Sequence, residues 1–175
     1  GSSELKEISA ILTLGNGLKR GIKSGGYLFE KHSHRNNPSG GRRFPLEVYI
    51  FANDIKELER GFYHYNIKKC GLEFIAGADD ENQIQLLTNE ESIGNSIFTV
   101  FMTAVGLRSI EKYGHLGYRL IFLEAGHLSQ SFWLTATALG LRCWPMAGIN
   151  ESRFYKTLKI NSHQEFFVFC LNFGR

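Results

Sequence analysis

The chain has 175 residues, of which 43% are hydrophobic and 21% are charged, and its formal net charge is +3. This length and composition indicate one globular domain with its own core. The small net charge argues against nucleic-acid binding, because lysines and arginines are scattered except in a run from His32 to Arg43. Three distant cysteines without a C-x-x-C pair predict neither a zinc site nor a disulfide framework, which fits a cytoplasmic protein.

The N-terminal part is predicted to form a helix and then a glycine-rich loop. We interpret Gly1 to Ser3 as a cloning scar and expect a single domain over residues 4–175. Apolar residues recur at helical spacing from Glu4 to Leu14. The loop from Gly15 to Gly26 begins GNGLKRG, which is one residue too long for a dinucleotide-binding fingerprint and follows a helix. We therefore reject a Rossmann fold.

The middle of the chain is predicted to consist mainly of strands. Leu46 to Ala52 has the β-branched and aromatic residues typical of a strand. Gly61 to Ile67 and Gly71 to Ala76 predict the two strands of a hairpin. A helix is predicted from Asp79 to Asn89, and a strongly apolar strand from Ser96 to Val105.

Two consecutive helices are predicted next, from Leu107 to about Tyr113 and from Tyr118 to Leu139, with Gly140 ending the second. The second helix is apolar enough to suggest a membrane span. Polar and charged residues inside it argue against a span, and we interpret it as a buried core helix. These residues are Arg119, Glu124, His127 and Gln130.

The C-terminal part is predicted to add two strands and a short helix. Arg142 to Ile149 is a strand interrupted by Pro145, and Glu165 to Phe173 is a closing strand. Asn150 is placed to cap a helix that ends at Leu158. Hairpins and helices alternate without a regular βαβ order, which predicts an α+β fold with a largely antiparallel sheet.

Two pairs of residues are candidates for chemistry. Glu124 and His127 share a helix face at a spacing that di-metal bundles use, but the chain offers no second pair. We therefore predict no metal site and expect the two side chains to form a buried hydrogen bond. Lys112 and Tyr113 lie at a helix end, where both can turn into one cavity as proton acceptor and hydrogen-bond donor. A solvated surface pair is the alternative.

The stretch NNPSGGRRFPLE, from Asn36 to Glu47, combines a glycine pair with an arginine pair. Such a loop can bring bare backbone N–H groups against an anion or a flat ring. An ordinary turn leading into the next strand is the alternative interpretation.

Three segments together resemble a known family. They are PSGGRRFPLEVYI (Pro38 to Ile50), KYGHLGYRLIFLEAGHLSQSFWLTATALGL (Lys112 to Leu141) and FFVFCLNFGR (Phe166 to Arg175). They resemble the azoline-oxidising branch of the nitroreductase superfamily, the SagB-type dehydrogenases. These flavoproteins convert thiazolines and oxazolines to thiazoles and oxazoles during the assembly of peptide natural products.

The resemblance implies an intertwined homodimer with flavin mononucleotide (FMN) at the subunit interface. It places one set of residues beside the flavin ring, namely Pro38, Ser39, Gly40 and Gly41. It places a second set on the N5 side of the ring, namely Met146, Ala147 and Gly148. The terminal Arg175 is expected to reach the flavin phosphate as a charge-assisted contact.

The resemblance also implies that Lys112 and Tyr113 carry catalysis. Aromatising an azoline removes a proton from one ring carbon and a hydride from the next, so a base is needed beside the flavin. We expect a desolvated Lys112 to be this base and Tyr113 to orient or relay the proton, although the two roles can be exchanged. The substrate is expected to be a ribosomal peptide or a carrier-bound chain.

The sequence departs from the family pattern at the loop and upstream. Arg42-Arg43-Phe44 stands where Ala-Leu-Tyr is usual, and no arginine-rich phosphate-binding motif precedes Leu5. Two other functions therefore stay open. One is a general NAD(P)H-dependent nitro- or quinone reductase, and the other is a flavin-poor subunit that supports a cyclodehydratase partner.

Overall fold

A six-stranded antiparallel sheet organises the part of the chain described by the computed structural model, which comprises residues 4–19, 34–78 and 96–175. Within these ranges the helices are α1 (Leu5–Asn16), α2 (Leu107–Tyr113), α3 (Leu116–Ala138) and α4 (Glu151–Leu158). The strands are β1 (Leu46–Ala52), β2 (Gly61–Asn66), β3 (Gly71–Gly77), β4 (Phe98–Ala104), β5 (Arg142–Met146) and β6 (Phe166–Gly174).

The strands are arranged in the order β3-β2-β1-β4-β6-β5, and all five pairings are antiparallel. The predicted α+β class and antiparallel sheet are therefore confirmed. The predicted hairpin corresponds to β2 and β3. The predicted strand after Gly140 is shorter than expected, because it ends at Met146. Pro145 does not interrupt β5, and it pairs with Leu171 of β6. Strand β5 lies at one edge of this sheet, where a missing N–H is tolerated.

Both faces of the central strands are covered. On β1, Leu46, Val48 and Ile50 join a core that includes residues of α1 and α3. Tyr49 and Phe51 point to the opposite face and join a second cluster with Phe154 of α4 and other residues. This explains why the β1 sequence is nearly continuous in apolar residues and does not alternate cleanly with polar ones.

Helix α3 is buried along one face only. Ile121, Leu128 and Phe132 are fully buried against the sheet and α1, and a Cβ on Gly15 of α1 would lie 2.4 Å from the Phe132 ring. The opposite face is exposed and also apolar, so the expectation of a buried core helix is wrong for the single chain. In the described ranges, no helix combines the length and apolar composition that a membrane crossing requires.

The sheet has one end where Leu46, Ala104 and Phe166 lie level on β1, β4 and β6. The loop before β1 and helix α2, which follows β4, therefore meet at this end. Strand β6 runs away from it, so its last residue, Gly174, lies at the opposite end. This arrangement decides which of the predicted site residues come together.

Other sequence predictions have mixed outcomes. Asn150 caps α4 as expected, since its side-chain oxygen accepts a hydrogen bond from the Arg153 N–H at 3.2 Å. Helix α1 continues to Asn16, two residues further than predicted. The predicted helix from Asp79 to Asn89, most of the loop that follows α1, and Gly1 to Ser3 lie outside the described residues.

Candidate functional site

The Pro-Ser-Gly-Gly loop forms a single 3₁₀ turn over Gly40–Arg42 immediately before β1. Gly41 has a φ of 59°, Arg42 one of 56° and Phe44 one of 45°. Positive φ is natural for glycine and uncommon for the other two residues. The loop is therefore a specific backbone shape, and its glycine pair presents peptide groups that carry no side chain.

Gly41 lies directly against the Lys–Tyr pair of α2. A Cβ built on Gly41 would be 2.1 Å from the Tyr113 Oη and 3.1 Å from the Lys112 Nζ. The Lys112 Nζ is also 5.2 Å from the centroid of the Tyr113 ring. The structure thus brings together the loop and the pair, which are about 70 residues apart in the sequence.

Two arginines hold the loop against α2. The Arg43 Nε donates a hydrogen bond to the Arg108 carbonyl oxygen at 2.5 Å. In the reverse direction, the Arg108 Nη1 donates to the Phe44 carbonyl oxygen at 3.1 Å. Charged donors make such bonds stronger than neutral ones. These reciprocal bonds fix the loop relative to the helix that carries Lys112 and Tyr113.

Lys112 is exposed and Tyr113 is half-buried in the single chain. The desolvation that was expected for Lys112 is therefore not provided by residues of its own chain that the structure describes. Burial of the amine would require a group other than the described residues, such as a ligand or a second molecule.

Ser39 is anchored inward by its hydroxyl group. Its Oγ accepts a hydrogen bond from the Phe44 N–H at 2.8 Å, and the hydroxyl also hydrogen-bonds the carboxyl group of Glu124 on α3. The hydroxyl therefore shapes the loop from behind. The surface that the loop offers to a ligand is Pro38 and the backbone of Gly40 and Gly41.

Glu124 is a buried carboxyl group, with 3% of its surface exposed. Burial raises its pKa from 4.5 to about 7, and the Ser39 hydrogen bond and the charge of Arg35 act in the opposite direction. His127 is exposed, and the predicted hydrogen bond between Glu124 and His127 is wrong. Spacing on the helix indicated a shared face, but the loop before β1 supplies the actual partner.

Met146, Ala147 and Gly148 lie at the end of the edge strand β5, which is three positions from β1 in the sheet. Met146 ends β5 level with Cys170 of β6, and its carbonyl oxygen accepts a hydrogen bond from the Cys170 thiol at 3.3 Å. Beyond it the chain heads toward the same sheet end as the loop. Ala147 and Gly148 are exposed, so their backbone groups are accessible to a ligand.

Arg175 lies at the opposite end of the sheet. Its Nη2 forms an ion pair with the Glu7 carboxylate at 2.8 Å. Strand β6 separates it from the loop end by eight residue steps, which is about 27 Å. The structure therefore does not bring Arg175 to the Pro-Ser-Gly-Gly loop within one chain.

The sequence pattern does not identify the residues behind the loop. It links Glu124 only to His127, and no motif singles out Arg108. The basic run from His32 to Arg43 and the unusual Arg42-Arg43 pair were the available signals. Neither signal reveals that α2 and α3 supply the partners, because this follows from the tertiary fold.

The sequence is similar to those of several known proteins. A nitroreductase-family protein of Methanocaldococcus jannaschii is 26% identical over 162 residues, covering 91% of this chain and 76% of that protein. The microcin B17-processing protein McbC of Escherichia coli is 27% identical, and the match covers 71% of this chain and 48% of McbC. The trifolitoxin-processing protein TfxB of Rhizobium leguminosarum is 29% identical, and the match covers 66% of this chain and 32% of TfxB. The chain thus spans about half of McbC and a third of TfxB.

Solved structures agree with these relatives. A nitroreductase-like protein of Anabaena variabilis superposes with a TM-score of 0.84 at 25% identity, over 96% of this chain and 34% of that one. A chain of the Escherichia coli microcin synthetase McbBCD complex with truncated pro-MccB17 superposes with a TM-score of 0.79 at 23% identity. The match covers 100% of this chain and 65% of that one. A Desulfovibrio desulfuricans protein in complex with FMN superposes with a TM-score of 0.63 at 14% identity, over 99% of this chain and 75% of that one. At this identity it supports the fold alone.

The resemblance to the nitroreductase superfamily that was predicted from the sequence is confirmed, and the similarity to McbC and TfxB supports a relation to peptide-processing members. The model of the nitroreductase family matches residues 4–175. The chain therefore belongs to the nitroreductase family of oxidoreductases.

Proposed function

We propose that the protein is an FMN-dependent oxidoreductase that dehydrogenates azolines to azoles on a ribosomal peptide or a carrier-bound chain. One observation carries this proposal: Gly41 of the loop lies against both the Lys112 Nζ and the Tyr113 Oη. A planar ligand on the loop would therefore border an amine and a phenol. The processing of microcin B17 and trifolitoxin by McbC and TfxB supports a peptide substrate.

The residues present fit a flavin. Gly40 and Gly41 have no side chain between their peptide groups and a ring, and Pro38 beside them is exposed. The accessible backbone of Ala147 and Gly148 would face the N5 side of the flavin. Arg175 would leave its ion pair with Glu7 and pair with the flavin phosphate instead. FMN, when bound, supplies an acceptor for the hydride that leaves the azoline.

The protein's own residues would handle the proton. The Lys112 Nζ, as a free amine, would take the proton from the azoline ring carbon. The Tyr113 Oη would orient the substrate by a hydrogen bond or relay the proton. The proximity of both groups to one glycine limits where they can point, so they would act on the same side of a bound ring.

A second copy of the chain would complete the site. The loop end and Arg175 are separated by the length of β6, which is further than one FMN molecule spans. The exposed apolar face of α3 offers the surface for pairing, and its residues include Phe122, Leu123, Trp133 and Leu134. In a homodimer, one copy would supply the loop and the other the phosphate contact. A partner over α2 would also desolvate Lys112.

A cyclodehydratase complex is the proposed setting of the reaction. The McbBCD structure contains truncated pro-MccB17, and 100% of this chain superposes on 65% of one chain of that complex. We therefore propose that azolines are formed on a peptide by a partner enzyme and are oxidised here.

The test is turnover of an azoline-containing peptide by the FMN-reconstituted protein and by Lys112→Ala. We expect oxidation to fall by at least about 100-fold in the variant with flavin still bound, because the base is lost and the loop is not. Lys156→Ala, at an exposed lysine of α4, is the matched control and should keep full activity.

Unchanged azoline turnover in Lys112→Ala would show that Lys112 is not the base. Rapid quinone reduction by NAD(P)H without any azoline oxidation would favour a general reductase. The absence of redox activity together with capture by a cyclodehydratase would favour the supporting subunit instead.

A further inference from the structure

A separate cavity of about 340 Å³ lies beside the loop, and its lining is strongly basic. It is bounded by residues 42–44 of the loop, the ends of β1 and β2, and α2. Its charged residues are Arg35, Arg42, Arg43, Lys68, Arg108 and Glu47, with His64 beside them. Five positive charges therefore face one carboxylate, whereas the whole chain has a net charge of +3.

The single carboxylate is already engaged. The Glu47 Oε1 pairs with the Arg108 Nη1 at 2.6 Å, and the Glu47 Oε2 accepts from the His64 Nε2 at 2.9 Å. The second ring nitrogen of His64 faces Glu73 at 3.7 Å. Glu47 thus balances Arg108, and the Arg43 Nη2 pairs with the Glu111 carboxylate outside the lining at 3.5 Å. The positive charges of Arg35, Arg42 and Lys68 remain.

Three cations have unused hydrogen-bonding capacity. Among the described residues, Arg42 and Lys68 form neither an ion pair nor a side-chain hydrogen bond. The Arg35 guanidinium stacks over the Phe44 ring at 4.4 Å, and its Nε is buried without a hydrogen-bond partner in residues 4–19, 34–78 and 96–175. Buried polar atoms usually have partners, so this donor indicates a missing acceptor. The positive φ of Arg42 and Phe44 holds both residues in the cavity wall.

We propose that this cavity is an oxyanion site that binds the phosphate groups of a small ligand. Arginine forks match phosphate oxygens by paired charge-assisted hydrogen bonds. A lone carboxylate carries one charge and would leave most of the lining uncompensated, whereas a diphosphate carries several. An open cavity of this small volume fits a small polyanion better than a nucleic-acid backbone, which would need an extended basic surface.

This proposal does not rest on flavin binding. The cavity is lined by the side chains of residues 42–44 and 35, whereas the glycine backbone that would face a flavin lies at Gly40 and Gly41. Occupancy of the cavity can therefore be measured with or without FMN, and the two proposals can fail independently.

The test is isothermal titration calorimetry of the FMN-saturated protein with sodium pyrophosphate at low and moderate salt. We expect binding that weakens with salt and a Kd raised about tenfold or more in Arg42→Gln/Lys68→Gln, because charged contacts are lost. Both positions are exposed and free of side-chain bonds, and near-ultraviolet circular dichroism should confirm that the variant folds. The matched control, Arg153→Gln/Lys156→Gln on α4, should bind as the parent protein does.

Flavin absorption, recorded during the titration, should stay unchanged. Lack of pyrophosphate binding, or equal binding by the variant and the control, would overturn the proposal. Release of FMN by pyrophosphate would overturn it too, because the anion would then occupy the cofactor's phosphate site. Binding of a glutamate-rich peptide without binding of pyrophosphate would assign the cavity to an acidic peptide and reject the phosphate ligand.

Discussion

At the scale of single residues, the contact between Gly41 and Tyr113 links the loop to the proposed chemistry. The hydroxyl of Tyr113 occupies the space that a Cβ would need, and the φ of 59° is one that other residues rarely adopt. Both features require glycine at this position. Even replacement of Gly41 by alanine should therefore disturb the conformation of the loop.

Gly41→Ala should therefore destabilise the protein by about 1 kcal/mol through its backbone conformation and push the Tyr113 hydroxyl out of place. Urea unfolding measures the first effect, and azoline turnover measures the second. Gly71→Ala is the matched control, since its Cβ would meet only the Lys69 carbonyl oxygen, at 3.9 Å. Equal stability and activity of the two variants would contradict the assigned contact.

Glu124 makes stability depend on pH in a defined direction. Its folded-state pKa is raised, from 4.5 to about 7, so the folded protein binds more protons than the unfolded chain between these values. Stability should fall as pH rises through this window, by up to about 3 kcal/mol, and level off above it.

Glu124→Gln removes this titration while keeping the size of the side chain. Unfolding in urea at pH 5 and pH 8 should show the variant gaining stability relative to the parent protein at the higher pH. Because His64 and the other carboxylates remain in both proteins, the difference between them isolates Glu124. A difference that does not change with pH would show that this carboxyl group is not desolvated.

At this scale the sequence allowed part of the site to be predicted. The glycine pair and the Lys–Tyr pair were recognisable from local motifs, and the structure brings them into contact. The role of Glu124 behind Ser39 was not predictable, because spacing along a helix identifies a shared face but not the element packed against it. The basic cavity combines Arg35, Lys68 and Arg108 from three separate segments, so only the fold assembles it.

At the scale of elements, α3 has two apolar faces with different surroundings. One face carries Ile121, Leu128 and Phe132 into the core, and the other exposes Phe122 and Leu134. A sequence that is apolar all round predicts a fully buried helix, which is why the two faces were not distinguished. Strand β1 was predicted with its exact limits, since a strand covered on both faces leaves a continuous apolar run.

Leu134→Glu should test whether the exposed face of α3 is a subunit interface. Leu134 is 62% exposed in the single chain, so the change should leave the fold intact. In a dimer it would bury a charge against an apolar surface and shift the protein toward the monomer. Light scattering after size-exclusion chromatography gives the mass directly. Phe74→Glu, on β3 and 51% exposed, is the control and should not change the mass. A monomeric parent protein would contradict the proposed interface.

At the scale of the whole molecule, the parts of the proposed site lie at two ends of one sheet. The loop and the Lys–Tyr pair lie at the end marked by Leu46, and Arg175 lies at the end marked by Gly174. The antiparallel topology could be predicted as a class, but the strand order could not, because it depends on long-range pairing. The direction of β6, which runs away from the loop end, separates these residues in one chain and motivates a site shared by two copies.

The most direct test of the account is the visible absorption of the protein peak after incubation with FMN and size-exclusion chromatography. We predict that the flavin band elutes with protein of dimer mass, because the loop and the phosphate contact come from different copies. Elution of all the FMN separately, from folded protein, would contradict the central claim.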